Sequence, residues 1–243
     1  MHRNETRLNA TPKTLMIPIH DDNPTDKPTY VTWALIAICV LVFIVQYTAA
    51  PAITRQITYS FGLIPAVLNN FASLPAEVHR VSAEATLITS MFLHGGFMHL
   101  AGNMLYLWIF GNNIEDSMGH LKFVLFYLLC GAAAAYAQVL FNPDSTIPMV
   151  GASGAISGVL GAYLLVYPKA HVLVLIPLGF IMQTIRLPAV AVLSIWFAIQ
   201  IFSSLNADPD KPGVAWYAHI GGFVAGCVLI PLFKSRHVPF FRG

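Results

Sequence analysis

The chain has 243 residues, of which 56% are hydrophobic and only 10% charged, and its formal net charge is +2. A soluble domain carries about 25% charged residues, so this composition, with a mean hydropathy of +0.67, is that of an integral membrane protein. The small net charge gives no basis for nucleic-acid binding. Cys39, Cys130 and Cys227 all lie in apolar segments and form neither a disulfide framework nor a Cys-x-x-Cys metal pattern, so they read as small hydrophobes.

Residues 1–29 are polar and contain Pro12, Pro18, Pro24 and Pro28, which predicts a short, poorly ordered leader. A cleaved signal peptide is disfavoured. The apolar run from Val31 to Thr48 exceeds the about 7–15 residues of a signal core, and Pro51 follows the faintly cleavage-like Thr48-Ala49-Ala50. The first span is Tyr30 to Thr48. Residues 49–90, with Pro51, Pro65 and Pro75, predict a long, partly helical loop in the interface. Further spans are predicted at Met98 to Asn112, Leu121 to Phe141, Gly151 to Tyr167, Leu187 to Leu205 and Val214 to Phe233. Each approaches the about 17–25 residues that cross hydrocarbon. The apolar segment His171 to Ile185 is short and broken by Pro177 and Gly179, so it is expected to be interfacial or to extend the fifth span, not to cross. The organisation expected is a leader (1–29), a six-span core (30–233) and a short basic tail (234–243).

Lysine and arginine placement sets the orientation. With the N-terminus inside, Arg3, Arg7, Lys13, Lys27, Lys122, Lys169, Arg186, Lys234, Arg236 and Arg242 are cytoplasmic, and only Arg55, Arg80 and Lys211 are outside. Both termini are then cytoplasmic, and spans two, four and six begin at the outer face.

That parity gathers polar residues. Ser153 opens span four and His219 lies about a turn into span six, a few ångströms to roughly 10 Å deep at about 1.5 Å per residue. His99 and Asn103, four apart, share a face near the outer start of span two. Taken singly, Ser153 reads as packing glue among Gly154, Gly158 and Gly161, His219 as a hydrogen-bonded structural histidine, and Asn103 as an interhelical bond. Jointly, a serine and a histidine at matching depth are what a serine protease needs. Metal chemistry is disfavoured: His94 and His99 are five apart, no His-Glu-x-x-His occurs, and the spans hold no aspartate pair. No cofactor or metal is expected, and His120 and His237 read as ordinary surface residues.

Three motifs occur in order: His94-Gly95-Gly96-Phe97-Met98-His99-Leu100-Ala101-Gly102-Asn103-Met104, then Gly151-Ala152-Ser153-Gly154, then Ala218-His219 with Gly222 and Gly226. On these, Ala50 to Phe233 resembles a rhomboid intramembrane serine protease of the bacterial six-span type. The resemblance implies an all-α membrane fold, a six-transmembrane-helix bundle, in a bacterial inner membrane with its site toward the outer face. It implies Ser153 as nucleophile and His219 as general base, a dyad without an acid, with His99, Asn103 and the Ser153 backbone N–H stabilising an oxyanion. Gly151, Gly154, Gly222 and Gly226 would support the site, Gly151 by shaping the turn and the last two by close helix approach.

The implied substrates are single-span membrane proteins, cut within or beside the membrane segment in the lipid bilayer. Trp196, Phe197 and Phe202 are candidates for a lateral gate, or equally lipid-facing bulk, and Asn206 to Gly213 could cap the site with Pro212 and Gly213 as a hinge. Two departures stand out. Glu84-Ala85-Thr86-Leu87 replaces a Trp-Arg pair found in some members, and Ser157 replaces an aromatic that packs on the histidine, so His219 would be held differently, for instance by a hydrogen bond. A catalytically silent rhomboid-like protein that binds membrane clients is the competing reading. A channel would instead need ionisable residues along a path across the membrane.

Overall fold

A computed structural model describes residues 16–178, 181–208 and 213–242. Strand β1 (Ile17–Asp21) precedes α1 (Tyr30–Thr48), which is followed by the short helices α2 (Pro51–Phe61), α3 (Pro65–Leu68) and α4 (Thr86–Thr89). Then come α5 (Phe97–Tyr106), α6 (Asn112–Met118), α7 (His120–Phe141), α8 (Ser153–Val166), strands β2 (His171–Leu178) and β3 (Ile181–Pro188), α9 (Ala189–Leu205) and α10 (Trp216–Phe233). A π-helical segment, Leu107–Gly111, joins α5 to α6. The helical stretch expected to end at Asn112 therefore runs on to Met118. Helices α1, α7 and α10 are long and apolar enough to cross a membrane, and α8 and α9 are shorter and apolar.

Hydrogen bonds between distant segments tie the two ends of the bundle. At the end carrying Ser153, Leu63 and Met149 exchange backbone bonds of 3.0 and 2.7 Å, and the Gly151 N–H donates to the Ser90 carbonyl at 2.9 Å. At the opposite end the Ser235 N–H donates to the Ser117 carbonyl, and the Phe241 and Arg242 N–H groups donate to the Leu165 and Val166 carbonyls that α8 leaves open. Glu115 of α6 is wholly buried there. Its carboxylate accepts from the Val31 and Thr32 N–H groups and from Thr32 Oγ1 at 2.7–2.9 Å, capping the N-terminus of α1. His120 Nδ1 sits 2.6 Å from the same carboxylate. His120 is exposed, as the sequence reading had it, and it also closes the cap on a carboxylate 5 residues before it.

Helix α8 is the axis of the core, buried without a break from Gly154 to Tyr163. Between α8 and α10 the fit is backbone against backbone. A Cβ on Gly222 would strike the Gly154 carbonyl oxygen, and one on Gly161 the Phe223 carbonyl oxygen. In lipid the hydrophobic effect does not drive helices together, so close approach over small residues supplies the packing attraction.

The all-α expectation needs correcting. His171 to Ile185 does not extend the fifth helix. It forms a hairpin in which β2 pairs antiparallel with β3, from His171↔Pro188 to Leu178↔Ile181. β2 also pairs with β1, giving a three-stranded sheet. The reason is local. Val172 and Val174 are fully buried while Leu173 and Leu175 are less so, which is a period of two. Pro177 falls near the turn, where a helix would lose a donor. Residues 17–21 of the expected poorly ordered leader are thus an ordered strand. Residues 1–15 of the leader, including Pro12, Arg3, Arg7 and Lys13, lie outside the described residues.

Candidate active site

Ser153 is the first residue of α8, so its N–H is among the four that an α-helix leaves without an internal acceptor. The turn that delivers it depends on Gly151, whose φ is +127°, a region that side chains rarely adopt. A Cβ there would also lie 2.7 Å from Cε1 and Nε2 of His99. His219 stands in the first turn of α10, and its Nε2 lies 2.9 Å from Ser153 Oγ. The structure therefore brings together the serine and the histidine that the sequence placed at matching depth.

His99 and Asn103 border the same space. Nδ1 of His99 accepts from the Gly95 N–H at 3.3 Å, which leaves its Nε2 to carry the ring proton on the side facing Gly151. Asn103 is buried, and its Nδ2 makes no hydrogen bond among the described residues. These groups, Ser153 and His219 line a cavity of about 1010 Å³, which Met98 and Tyr217 also border. His94 is buried beside His99 with ring centroids 5.3 Å apart, and neither of its ring nitrogens is hydrogen-bonded among the described residues.

Three glutamines escaped the sequence reading, and each holds a motif segment from a neighbouring helix. Gln46 of α1 accepts the His94 N–H at 3.1 Å. Gln138 of α7 accepts the Ala218 N–H at 3.3 Å, at the start of α10. Gln200 of α9 places Oε1 2.8 Å from Nδ1 of His219. The available signal was a lone amide in an apolar span, which lipid makes costly unless it has a partner.

Aromatic rings stand beside His219, from positions other than 157. Ser157, where some relatives would carry a ring, donates to the Ser153 carbonyl at 2.7 Å. The rings beside His219 are Trp196, at 5.9 Å between centroids, and Trp216, at 6.1 Å. Of the gate candidates, Trp196 and Phe197 both stack on Phe223 of α10, and only Phe202 is largely exposed. Of the suggested cap, residues 209–212 lie outside the described residues. A Cβ on Gly154 would lie 2.7 Å from that of Ala134, and Gly222 and Gly226 abut α8.

Fold and site together define a bundle of apolar, membrane-type helices with a serine–histidine pair at the head of a cavity. A family model described as Rhomboid domain matches residues 76–236, and the chain belongs to the rhomboid family. It is 30% identical over 200 residues to the rhomboid protease GluP of Bacillus subtilis (strain 168), covering 82% of this chain and 34% of that protein. It is 35% identical over 143 residues to RHOMBOID-like protein 6, mitochondrial, of Arabidopsis thaliana, 59% of this chain and 41% of that one. Over 100 residues it is 32% identical to Rhomboid protein 1, mitochondrial, of Saccharomyces cerevisiae, 40% of this chain and 29% of that protein. The chain thus spans well under half the length of these relatives.

Proposed function

We propose that this chain is an intramembrane serine endopeptidase that hydrolyses peptide bonds in or beside the transmembrane segment of single-span membrane proteins. The observation that carries the reading is the 2.9 Å approach of His219 Nε2 to Ser153 Oγ at the head of an open cavity. In this reading, Nε2 takes the Oγ proton as Oγ attacks the scissile carbonyl carbon. The oxyanion that forms is met by the Ser153 N–H, His99 Nε2–H and Asn103 Nδ2. An otherwise unpaired buried amide such as Asn103 is explained by such a role. The imidazolium then gives its proton to the leaving amine, and an acyl-serine remains. Water attacks that ester and yields its proton to Nε2, and collapse of the second intermediate returns the proton to Oγ.

The core is read as six spans, residues 30–233, flanked by a leader and a basic tail. The charge bias sets both termini in the cytoplasm of a bacterial inner membrane, with the cavity toward the outer face. A catalytically silent client-binding protein is the second reading, and the relatives named only rhomboid-like give it weight. Incubation of the purified protein with a generic membrane-spanning substrate, beside Ser153→Ala, tests the choice. Cleavage by the intact protein alone supports the protease. No cleavage, together with no serine labelling, supports client binding.

A further inference from the structure

We infer that Gln200 is a positioning residue for the base, its amide oxygen holding His219 in the Nδ1–H tautomer so that Nε2 faces Ser153. The assignment rests on the protease reading above. Its geometric ground is a chain of three contacts from one helix to another. Trp196 O accepts from Gln200 Nε2 at 3.0 Å, Gln200 Oε1 meets His219 Nδ1 at 2.8 Å, and His219 Nε2 meets Ser153 Oγ at 2.9 Å.

The first contact fixes the direction of the others. A backbone carbonyl only accepts, so the amide must turn its NH₂ toward Trp196 and its oxygen toward the ring. An oxygen at Nδ1 requires a proton on Nδ1. In a neutral imidazole the proton is then absent from Nε2, which is left as the acceptor of the Ser153 hydroxyl. Flipping the amide would set its oxygen against the Trp196 carbonyl oxygen, lose that bond and leave an NH₂ that suits only an unprotonated Nδ1. Gln200 is only 4% exposed, so water does not compete for either group.

The chemistry also accounts for an amide rather than a carboxylate. During proton transfer the Oγ proton passes to Nε2 while the Nδ1 proton stays in place, donated to Oε1 throughout. No proton moves to Gln200. An acid at this place would stabilise the imidazolium more strongly, yet an ionised carboxylate deep in an apolar bundle carries a large desolvation cost. The amide dipole orients the ring without that cost. Helix α9 therefore supplies both the hydrogen bond and, through Trp196, the ring that packs beside His219.

The test uses the full chain in detergent micelles. Gln200→Met keeps the length and apolar volume and removes the acceptor. Gln200→Glu restores it, since a neutral carboxyl can donate its O–H to the Trp196 carbonyl and accept from Nδ1–H. Three readouts are taken: the rate at which a fluorophosphonate labels Ser153, kcat and KM on a membrane-spanning substrate, and the ring-nitrogen NMR signature of isotope-labelled His219. Gln200→Met is expected to lower labelling and kcat together by about 10- to 100-fold, part of the about 10²–10⁴ that a positioned base supplies. KM should stay within about twofold, and the Nδ1–H signature should give way to a tautomer mixture. Gln200→Glu should recover most of the loss. Unchanged labelling, kcat and tautomer in a folded Gln200→Met protein would overturn the inference. If that variant does not fold, an Nε2–H signature in the wild type overturns it instead, and an Nδ1–H signature kept in Gln200→Glu upholds it. A wild type that neither labels nor cleaves, yet shows the Nδ1–H signature that Gln200→Met loses, removes the protease reading and leaves the positioning in place.

Discussion

A Cβ on Gly226 would fall on the carbonyl oxygen of Gly158, so α8 and α10 meet there with no side chain between them. Ser153 and His219 sit one and two turns along these same helices, toward the cavity, and their 2.9 Å contact inherits its precision from that seam. Gly226→Ala is accordingly expected to push the helices apart. Overpacking of this kind costs about 1–3 kcal/mol, occasionally more. Thermal unfolding in micelles should show a lower midpoint, and turnover should fall by more than the folded fraction does. A variant as stable and active as wild type would mean that the seam does not set the dyad distance.

Ser153→Ala should abolish both cleavage and fluorophosphonate labelling with little change in unfolding midpoint, because alanine suits the small-residue surface of α8. Ser157→Ala loses only a bond to the Ser153 carbonyl and should keep substantial activity. Reversed results in the labelling assay would reassign the nucleophile.

His99→Ala and Asn103→Ala should each slow turnover by about 10²–10³, the usual cost of one oxyanion donor. Serine labelling should persist in both, since Oγ and Nε2 are untouched. Steady-state kinetics that match wild type would remove the pair from the oxyanion site.

Asp21 gives a pH dependence of stability. Burial raises its carboxyl from 3.8 to about 6, although the Tyr163 hydroxyl donates to Oδ2 at 2.6 Å. Below the unfolded value both states are protonated, and the folded state keeps its full stability. Between the two values the unfolded chain ionises first, so stability is lost as pH rises and the loss is complete above about 6. A shift of this size corresponds to about 3 kcal/mol at most. The unfolding midpoint should fall between about pH 4 and pH 6.5, and Asp21→Asn should remove that slope. Equal slopes for the two proteins would show that the carboxyl does not titrate there.

Membrane topology is open to the same kind of check. Impermeant labels at Lys169 and after Arg242 should report the cytoplasmic side, and labels at Asp144 and Asp208 the outer side. A cytoplasmic signal from Asp208 in an active protein would break the parity that puts Ser153 and His219 at one depth.

Much of the site was legible in the chain because its signals are local. Ser153, His219, His99 and Asn103 are polar residues at costly places, and the glycines beside them state where helices touch. The hairpin was not, since Val172 to Ile176 reads equally as apolar helix or buried strand until β1 is present to pair with it. Glu115 was passed over because its three donors lie 83 to 84 residues away in the chain.

The sequence by itself determined the membrane class, the order of the apolar segments and the candidate residues for the chemistry, because burial preference and helix periodicity act over a few residues at a time. Only the tertiary structure decided which polar groups would partner them. Gln200 reaches His219 across 19 residues, Gln138 reaches Ala218 across 80 and Gln46 reaches His94 across 48. An amide in an apolar helix must find a partner, but its own neighbours in sequence do not say which helix will supply it. That choice is made by packing, which brings the helices of distant sequence side by side.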